Sequence, residues 1–451
     1  MTDTINVANI IDVLSYKMKN CAFSQKEALY YAKAIEQLKI GTITTVNTYT
    51  DISSAANGRL YYVVQEGRLY YVTNTETGGG VYSANIILLS DATQKQMWSW
   101  GDNRCYALGG AYVSYTPIQE PPRDKDVKSI AAGELFGSFI KENGTLWSWG
   151  NNLCGQLGLN FLGGFGDRPC QEKTYSCNWV KASHGCQHTM ALKNDGTLWT
   201  WGCNTTGLLG DGTVIVRSLP VQVIGGLLWK DIAAGYEHSM GITTDNKLYS
   251  WGANSVGHLG DNTTISKSSP VQESSLSTNW CALAAGQGTG YAIKTDGSLW
   301  VWGWNGCGQL GDNTVVNKSS PVREASSSSN WCAVSSKCRV VAALKTDGSL
   351  WTWGDNACGQ LGINTIISKS SPVREISSST NWCQVSTGNC FVAAIKTDGS
   401  LWTWGNNFCG QLGDGTVNAK SSPVRESTSA SNWVSVSAGC AFTLARKIRT
   451  F

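Results

Sequence analysis

No stretch of this 451-residue chain approaches the roughly 20 consecutive apolar residues that cross a bilayer, so membrane insertion is not expected. The opening MTDTINVANI has no basic segment leading into an apolar core, which argues against a secretory signal. Charge of one sign is also missing. With 35 Lys and Arg against 32 Asp and Glu, the net of +3 offers no concentrated basic face, and nucleic acid is not an expected partner. Histidine is scarce, at four, which leaves few groups for general acid–base chemistry. No phosphate-binding loop, catalytic-triad motif or paired-carboxylate signature is present, so neither an enzyme nor a cofactor is expected. The 16 cysteines contain no C-x-x-C pair, the spacing by which one turn gives zinc two ligands. Without a secretory signal they are expected as thiols in a reducing cytosol.

What the chain does have is glycine (50), tryptophan (20) and a period. The glycine that closes each W-x-W-G, or Y-x-W-G once, falls at 101, 150, 202, 252, 303, 354 and 405, in steps of 49 to 52. A fixed period of about 50 residues signals a repeat architecture. One full copy reads NWCQVSTG, FVAAIKTDGSLWTWG, NNFCGQLGDGT and SSPVRE, between Asn381 and Glu426. Short β-branched runs bounded by Gly and Asn read as strands. Asp398-Gly399 and its counterparts, such as Asp296-Gly297 and Asp347-Gly348, read as hairpin turns because both positions tolerate unusual φ. Three or four short strands per period, seven times over, predict an all-β, seven-bladed β-propeller.

Thirteen tryptophans occupy the W-x-W sites: Trp98, Trp100, Trp147, Trp149, Trp199, Trp201, Trp251, Trp300, Trp302, Trp351, Trp353, Trp402 and Trp404. Spaced by two, each pair leaves its strand on one face, and recurrence at fixed blade positions predicts packing between blades. Six more, at 179, 229, 280, 331, 382 and 433, open a repeat. Only Trp304 stands outside this register, on a blade-end loop, as a candidate interface anchor. The first W-x-W-G lacks an opening strand before it, and the last opening strand, NWVSVSAG (432–439), has no W-x-W-G after it. A ring joins the two halves into one blade and removes the exposed edges. Both NIILL (85–89) and FTLAR (442–446) resemble the second strand of that blade, leaving one surplus.

At these residues the chain resembles the regulator of chromosome condensation repeat family. IAAGYEHSMGI (232–242) matches its small-small-Gly-x-x-His pattern, and CGQLGDG with SSPVRE matches its blade connections. The resemblance spans residues 85–451 and implies a seven-bladed propeller. It does not by itself imply one function, since relatives include a nucleotide exchange factor, ligases, scaffolds and phage virion proteins. Only His238, and less cleanly His188, fill the family's histidine position.

Several groups recur at fixed repeat positions. Cys154, Cys307, Cys358 and Cys409 share one repeat position, and Cys281, Cys332 and Cys383 another; as small residues on blade strands they read as buried packing. Cys170, Cys177, His184, Cys186 and His188 crowd one irregular repeat, but their spacing matches no standard metal site and no metal is assigned. An Asn follows every W-x-W-G-x. It reads as a turn cap, with a ring of pore-lining or sugar-contacting amides as the alternative. The KSSPVRE runs read as solvated, neutralised connections.

The first 80 residues differ in kind. Val7, Ile11, Leu14 and Met18, then Ala28, Tyr31, Ile35 and Leu38, step along helical faces, with a capping box at Ser24-x-x-Glu27. A duplication, GRLYYVVQE then GRLYYVTNT (58–75), predicts a hairpin displaying Tyr61, Tyr62, Tyr70 and Tyr71 as candidate interaction residues. The expected organisation is a helical attachment segment (1–42), a β-hairpin module (43–80) and the propeller (81–451). The N-terminal module resembles those of virion structural proteins from tailed, particularly marine, phages. That resemblance implies a phage tail, baseplate or capsid appendage, made in the host cytoplasm and resident in the virion. Its first module would bind other virion proteins and support a homo-oligomer, for instance a trimer, while the propeller meets a host surface receptor or glycan. The rival expectation is a cellular interaction module, of the nucleotide-exchange or inhibitor-scaffold kind.

Overall fold

The computed structural model describes residues 43–46, 60–63, 68–77 and 81–91 as strands, together with residues 95–103, 106–108, 113–119 and 126–448. The helices and capping box expected over 1–42, and the turn at 65–67, lie outside the described residues. The described chain divides into two compact units, one ending at Lys95 and one covering Gln96–Lys447.

In the first unit, strands Ile43–Val46, Leu60–Val63, Arg68–Thr77 and Val81–Asp91 form one sheet in sequence order. The first pair is parallel and the rest antiparallel. The duplicated segment pairs as the expected hairpin, with Tyr61 opposite Tyr70, Leu60 opposite Tyr71 and Tyr62 opposite Leu69. The NIILL run belongs to the last strand of this sheet. FTLAR is therefore the segment that serves the ring.

The second unit is seven four-stranded antiparallel sheets. In blade one the strands are Val127–Ala132 (inner), Phe136–Lys141 (second), Leu146–Asn151 (third) and Phe165–Gln171 (outer). Blades two to six repeat this order with inner strands opening at Trp179, Trp229, Trp280, Trp331 and Trp382. Blade seven is composite: Trp433–Ala438 and Phe442–Ile448 from the C-terminal end join Lys95–Gly101 and Ser114–Gln119 from the start of the ring. The Asp102 N–H donates to Ala441 O at 2.8 Å across that seam. Inner strands of consecutive blades pack on one another all the way round, blade seven against blade one included, so the ring is closed.

Tryptophan holds the blades together in two ways. The second Trp of each W-x-W is at most 1% exposed, and its Nε1 donates to a backbone carbonyl of the preceding blade, as from Trp353 to Gln309 O and from Trp100 to Gln411 O, both at 2.9 Å. The first Trp shares that face and carries a lysine over its ring, Lys345 on Trp351 and Lys193 on Trp199 at 4.3 Å. The Trp that opens each repeat packs beside the buried one, at 6.0 Å for Trp382 and Trp404. Ile395 and Leu401 of blade six, for example, lie in one cluster with Trp433, Trp100 and Trp98 of blade seven. Burying an indole removes about 150–250 Å² from water, so these sites carry the joints between blades.

The KSSPVRE runs depart from the sequence reading: KSSPVR forms the outer strand of blades four to six. The glutamates that directly follow the outer strands, Glu172, Glu273, Glu324, Glu375 and Glu426, are fully buried rather than solvated. In blade five Glu375 Oε1 accepts from the Ser379 N–H at 3.2 Å and the Trp382 indole at 3.1 Å, while Oε2 accepts from the Ser377 N–H at 2.6 Å. The carboxylate thus replaces water for the orphan donors of the turn into the next blade.

Candidate functional site

Antiparallel order puts the inner–second and third–outer connections of every blade on one face of the ring, the loop face. The tight second–third turns lie on the other. The third strand enters the loop face through its W-G glycine, whose φ is +96° to +108°. At Gly303 a Cβ would stand 2.2 Å from Gly288 O, so no other residue fits. That turn aims the next N–H at the inner–second loop, as from Trp304 to Gly288 O at 2.8 Å.

The asparagine that follows is fully buried in blades one to six, which excludes pore lining and sugar contact for those amides. Asn305 Oδ1 accepts from the Leu310 N–H at 2.9 Å, and its Nδ2 donates to Asp312 Oδ1 and Thr314 O at 3.0 Å. Each Asn is the hub of a loop whose outward residues are then free to be apolar. Exposed on these loops are Leu153, Val214, Ile215, Ile265, Val315, Val316, Ile366, Ile367 and Phe408, the last 76% exposed. A monomer rarely gathers so many on one face without a use for them.

Trp304 sits among them, half-buried, with the exposed Arg339 guanidinium 5.1 Å from its ring centroid. The pair edges a recess of about 280 Å³ between blades three and five, lined also by Tyr236, Glu237, His258 and Gln287. Arginine over an indole is a cation–π contact worth about 0.5–1 kcal/mol at an exposed site. Sequence reasoning had singled out Trp304 but missed Arg339; the SSKCRVV run, where no other copy carries a Lys or Arg, was the available signal.

The central channel holds a cavity of about 380 Å³ lined by the inner strands. Its serines are used internally: Ser183, Ser386 and Ser437 each accept the N–H of the next blade's inner strand at 2.9 Å. Lys337 closes the mouth on the loop face, donating from blade five to Ala132 O (2.6 Å), Gly133 O (2.8 Å) and Ala438 O (3.1 Å). Burial pulls its ammonium down to about 8. His184 pairs through Nε2 with Ser138 Oγ at 2.6 Å and through Nδ1 with Thr189 Oγ1 at 3.1 Å. Burial, reinforced by Lys337, depresses it to about 3.

The five residues of the irregular repeat are dispersed. Cys170 lies on the outer strand of blade one, Cys177 in an exposed turn, and Cys186 against Glu134. His188 is buried with Nε2 3.0 Å from Ser239 Oγ. Among the described residues no three His, Cys, Asp or Glu converge as a metal site. The recurrent cysteines are not core residues either. Cys281, Cys332 and Cys383 are exposed, and Cys154, Cys307, Cys358 and Cys409 half-exposed. A β-bulge immediately after each opening Trp breaks the in–out alternation and turns the first set outward. Tyr61, Tyr62, Tyr70 and Tyr71 belong to the N-terminal sheet.

Fold and face together define a closed seven-bladed propeller built from tryptophan-marked repeats, with one loop-rich face. The regulator of chromosome condensation (RCC1) repeat model matches residues 143–192, 195–242, 245–293, 296–343, 347–395 and 398–446. The chain belongs to the RCC1 repeat family. It is 30% identical over 368 residues to the ultraviolet-B receptor UVR8 of Arabidopsis thaliana, covering 80% of this chain and 69% of that one. It is 28% identical over 351 residues to the human E3 ubiquitin-protein ligase HERC2, but these span 74% of this chain and only 7% of that protein. Among solved structures, yeast RCC1 (Prp20) bound to Kap60 superposes with a TM-score of 0.72 at 18% identity, over 79% of this chain and 90% of the other. Prp20p of Saccharomyces cerevisiae, studied for its binding to Gsp1p and histones, gives 0.71 at 20% identity, over 80% and 92%. At these identities the structures speak for the fold alone.

Proposed function

We propose that this chain is a non-catalytic interaction propeller of a cellular system, whose loop face docks a protein partner with Trp304 and Arg339 at the centre of the contact. The observation that carries the reading is the gathering of exposed apolar side chains and a guanidinium-capped indole around a recess on one face. Trp and Arg are enriched where binding energy concentrates, and an apolar patch rimmed by polar loops is the usual mark of a protein interface. Family membership supports it: the yeast relatives quoted above were studied with protein partners. The virion reading rested on the N-terminal resemblance, and the relatives favour the cellular alternative.

The test is comparative capture from the organism of origin, with the intact chain, the W304A/R339A double variant, and an L276N control on the opposite face. Leu276 is exposed and holds a positive φ of 53°, which Asn tolerates. The expected result is a partner retained by the intact chain and the control and lost by the double variant, with all three melting alike. Equal capture by all three would move the docking surface elsewhere.

A further inference from the structure

One position on the channel wall breaks the repeat. The residue three places before each second strand is glycine in six blades, Gly133, Gly185, Gly235, Gly286, Gly388 and Gly439, and in blade five it is Lys337. The local reason is steric. A Cβ at Gly388 would stand 1.9 Å from the Phe391 ring, and one at Gly439 2.1 Å from the Phe442 ring. Blade five has Val340 in that place, which carries no ring. The lysine this allows crosses the channel to carbonyls of blades one and seven.

Those acceptors are neutral. Among the described residues no carboxylate forms an ion pair with Lys337. Glu134, which acts on it from further off, is held by the Cys186 thiol. A buried ammonium without a counter-charge is costly to keep, and at about 8 it stays largely charged at pH 7. The rest of the wall offers a ligand no second free charge. At the far end Lys181 also lines the cavity, but it is paired with Asp231. The wall hydroxyls are spent on the ring itself. Besides Ser183, Ser386 and Ser437, Ser335 Oγ accepts the Thr387 N–H at 3.0 Å, and Ser336 Oγ donates to Val340 O at 3.2 Å. Between them the wall is apolar, with Ile130, Ile232, Leu283, Val334 and Val385.

We propose that the channel is a binding site for a small aliphatic monocarboxylate, with its carboxylate on the Lys337 ammonium and its hydrocarbon body along the apolar wall. The cavity of about 380 Å³ is of the size that small molecules use, and a mostly apolar lining with one placed charge is their usual setting. A charge-assisted bond to a carboxylate is stronger than one to a neutral carbonyl. The carboxylate therefore replaces Ala438 O, the longest of the three contacts at 3.1 Å. A sugar would leave its hydroxyls without partners on a wall already satisfied, and an organic cation would be repelled. Lys337 closes the mouth on the loop face, so the ligand enters from the opposite end. The site is separate from the Trp304 recess and does not depend on what docks there.

The experiment adds sodium butyrate to the full native chain at pH 7, with butyramide and n-butylammonium chloride as controls at matched ionic strength. Isoleucine, leucine and valine methyl shifts are read by NMR. The expected result is a saturable response to butyrate confined to channel methyls, Ile130, Val334 and Val385 among them. Butyramide should bind about tenfold more weakly, because it lacks the charge, and butylammonium should not bind. K337M keeps a straight side chain without the ammonium, and K337G installs the residue of the other six blades. Each should lose about tenfold or more in butyrate affinity, while K337R, which keeps the charge, should retain it. The methyl map needs no variant, so it decides the matter even where a substitution fails to fold. Channel methyls unmoved by butyrate, shifts confined to other parts of the ring, or undiminished binding by folded K337M would overturn the assignment.

Discussion

Trp98 shows how much one side chain decides. In five other blades the first indole of W-x-W donates to a hydroxyl two residues earlier, as from Trp351 to Ser349 and Trp402 to Ser400, both at 2.9 Å. The residue in that place before Trp98 is Gln96, and among the described residues the buried Trp98 Nε1 has no acceptor. An unsatisfied buried donor costs about 1–3 kcal/mol. Q96S should therefore stabilise the ring by about 0.5–1.5 kcal/mol, the net value of one hydrogen bond, read as a higher Tm than the parent. An unchanged or lower Tm would show that the orphaned indole carries no cost. The missing partner was visible in the sequence once the repeat was aligned. The buried glutamates were not, because a Glu in a run of Ser, Lys and Arg reads as solvated. Only the folded turn brings the Ser377 and Ser379 N–H groups and the Trp382 indole onto one carboxylate.

At the scale of elements, blades two and three hold all four histidines. His188 and His238 open the second strands of blades two and three, where blades one, six and seven have Phe136, Phe391 and Phe442. Both are fully buried. Burial depresses His184 to about 3 and His188 to about 4. It also lowers His238, helped by His258 and His188, and lowers His258 itself. The folded values lie below the unfolded value of about 6.5. The unfolded chain therefore takes up protons first, and stability is complete above about pH 6.5 and lost as pH falls toward 4. Chemical denaturation across that range should show a steep decline, shallower in H238F, which installs the side chain three other blades use. A flat profile from pH 7 to 4.5 would contradict the assignment of neutral buried imidazoles. The strands themselves were legible, since period, Asp-Gly turns and paired tryptophans are local signals. The outward turn of Cys281, Cys332 and Cys383 was not, because it comes from a bulge that leaves no mark in composition.

For the whole molecule, closure governs stability and the loop face governs function. The composite blade was readable from the two unmatched halves of the repeat, but the choice of FTLAR over NIILL required the N-terminal sheet that claims the latter. A chain of residues 96–447 should melt as one cooperative unit close to the parent. Removing residues 432–451 takes away the inner and second strands of blade seven, with Trp433, 2% exposed, among them. Loss of that indole alone costs about 3–5 kcal/mol, against a total of about 5–15, so aggregation or loss of a cooperative transition is expected on heating. The most direct test of the account is site-specific photo-crosslinking in the native cell, with the reactive residue placed either at Trp304 on the loop face or at Leu276 on the opposite face. The account predicts a discrete protein adduct from position 304 and none from position 276. Adducts from position 276 alone would contradict it.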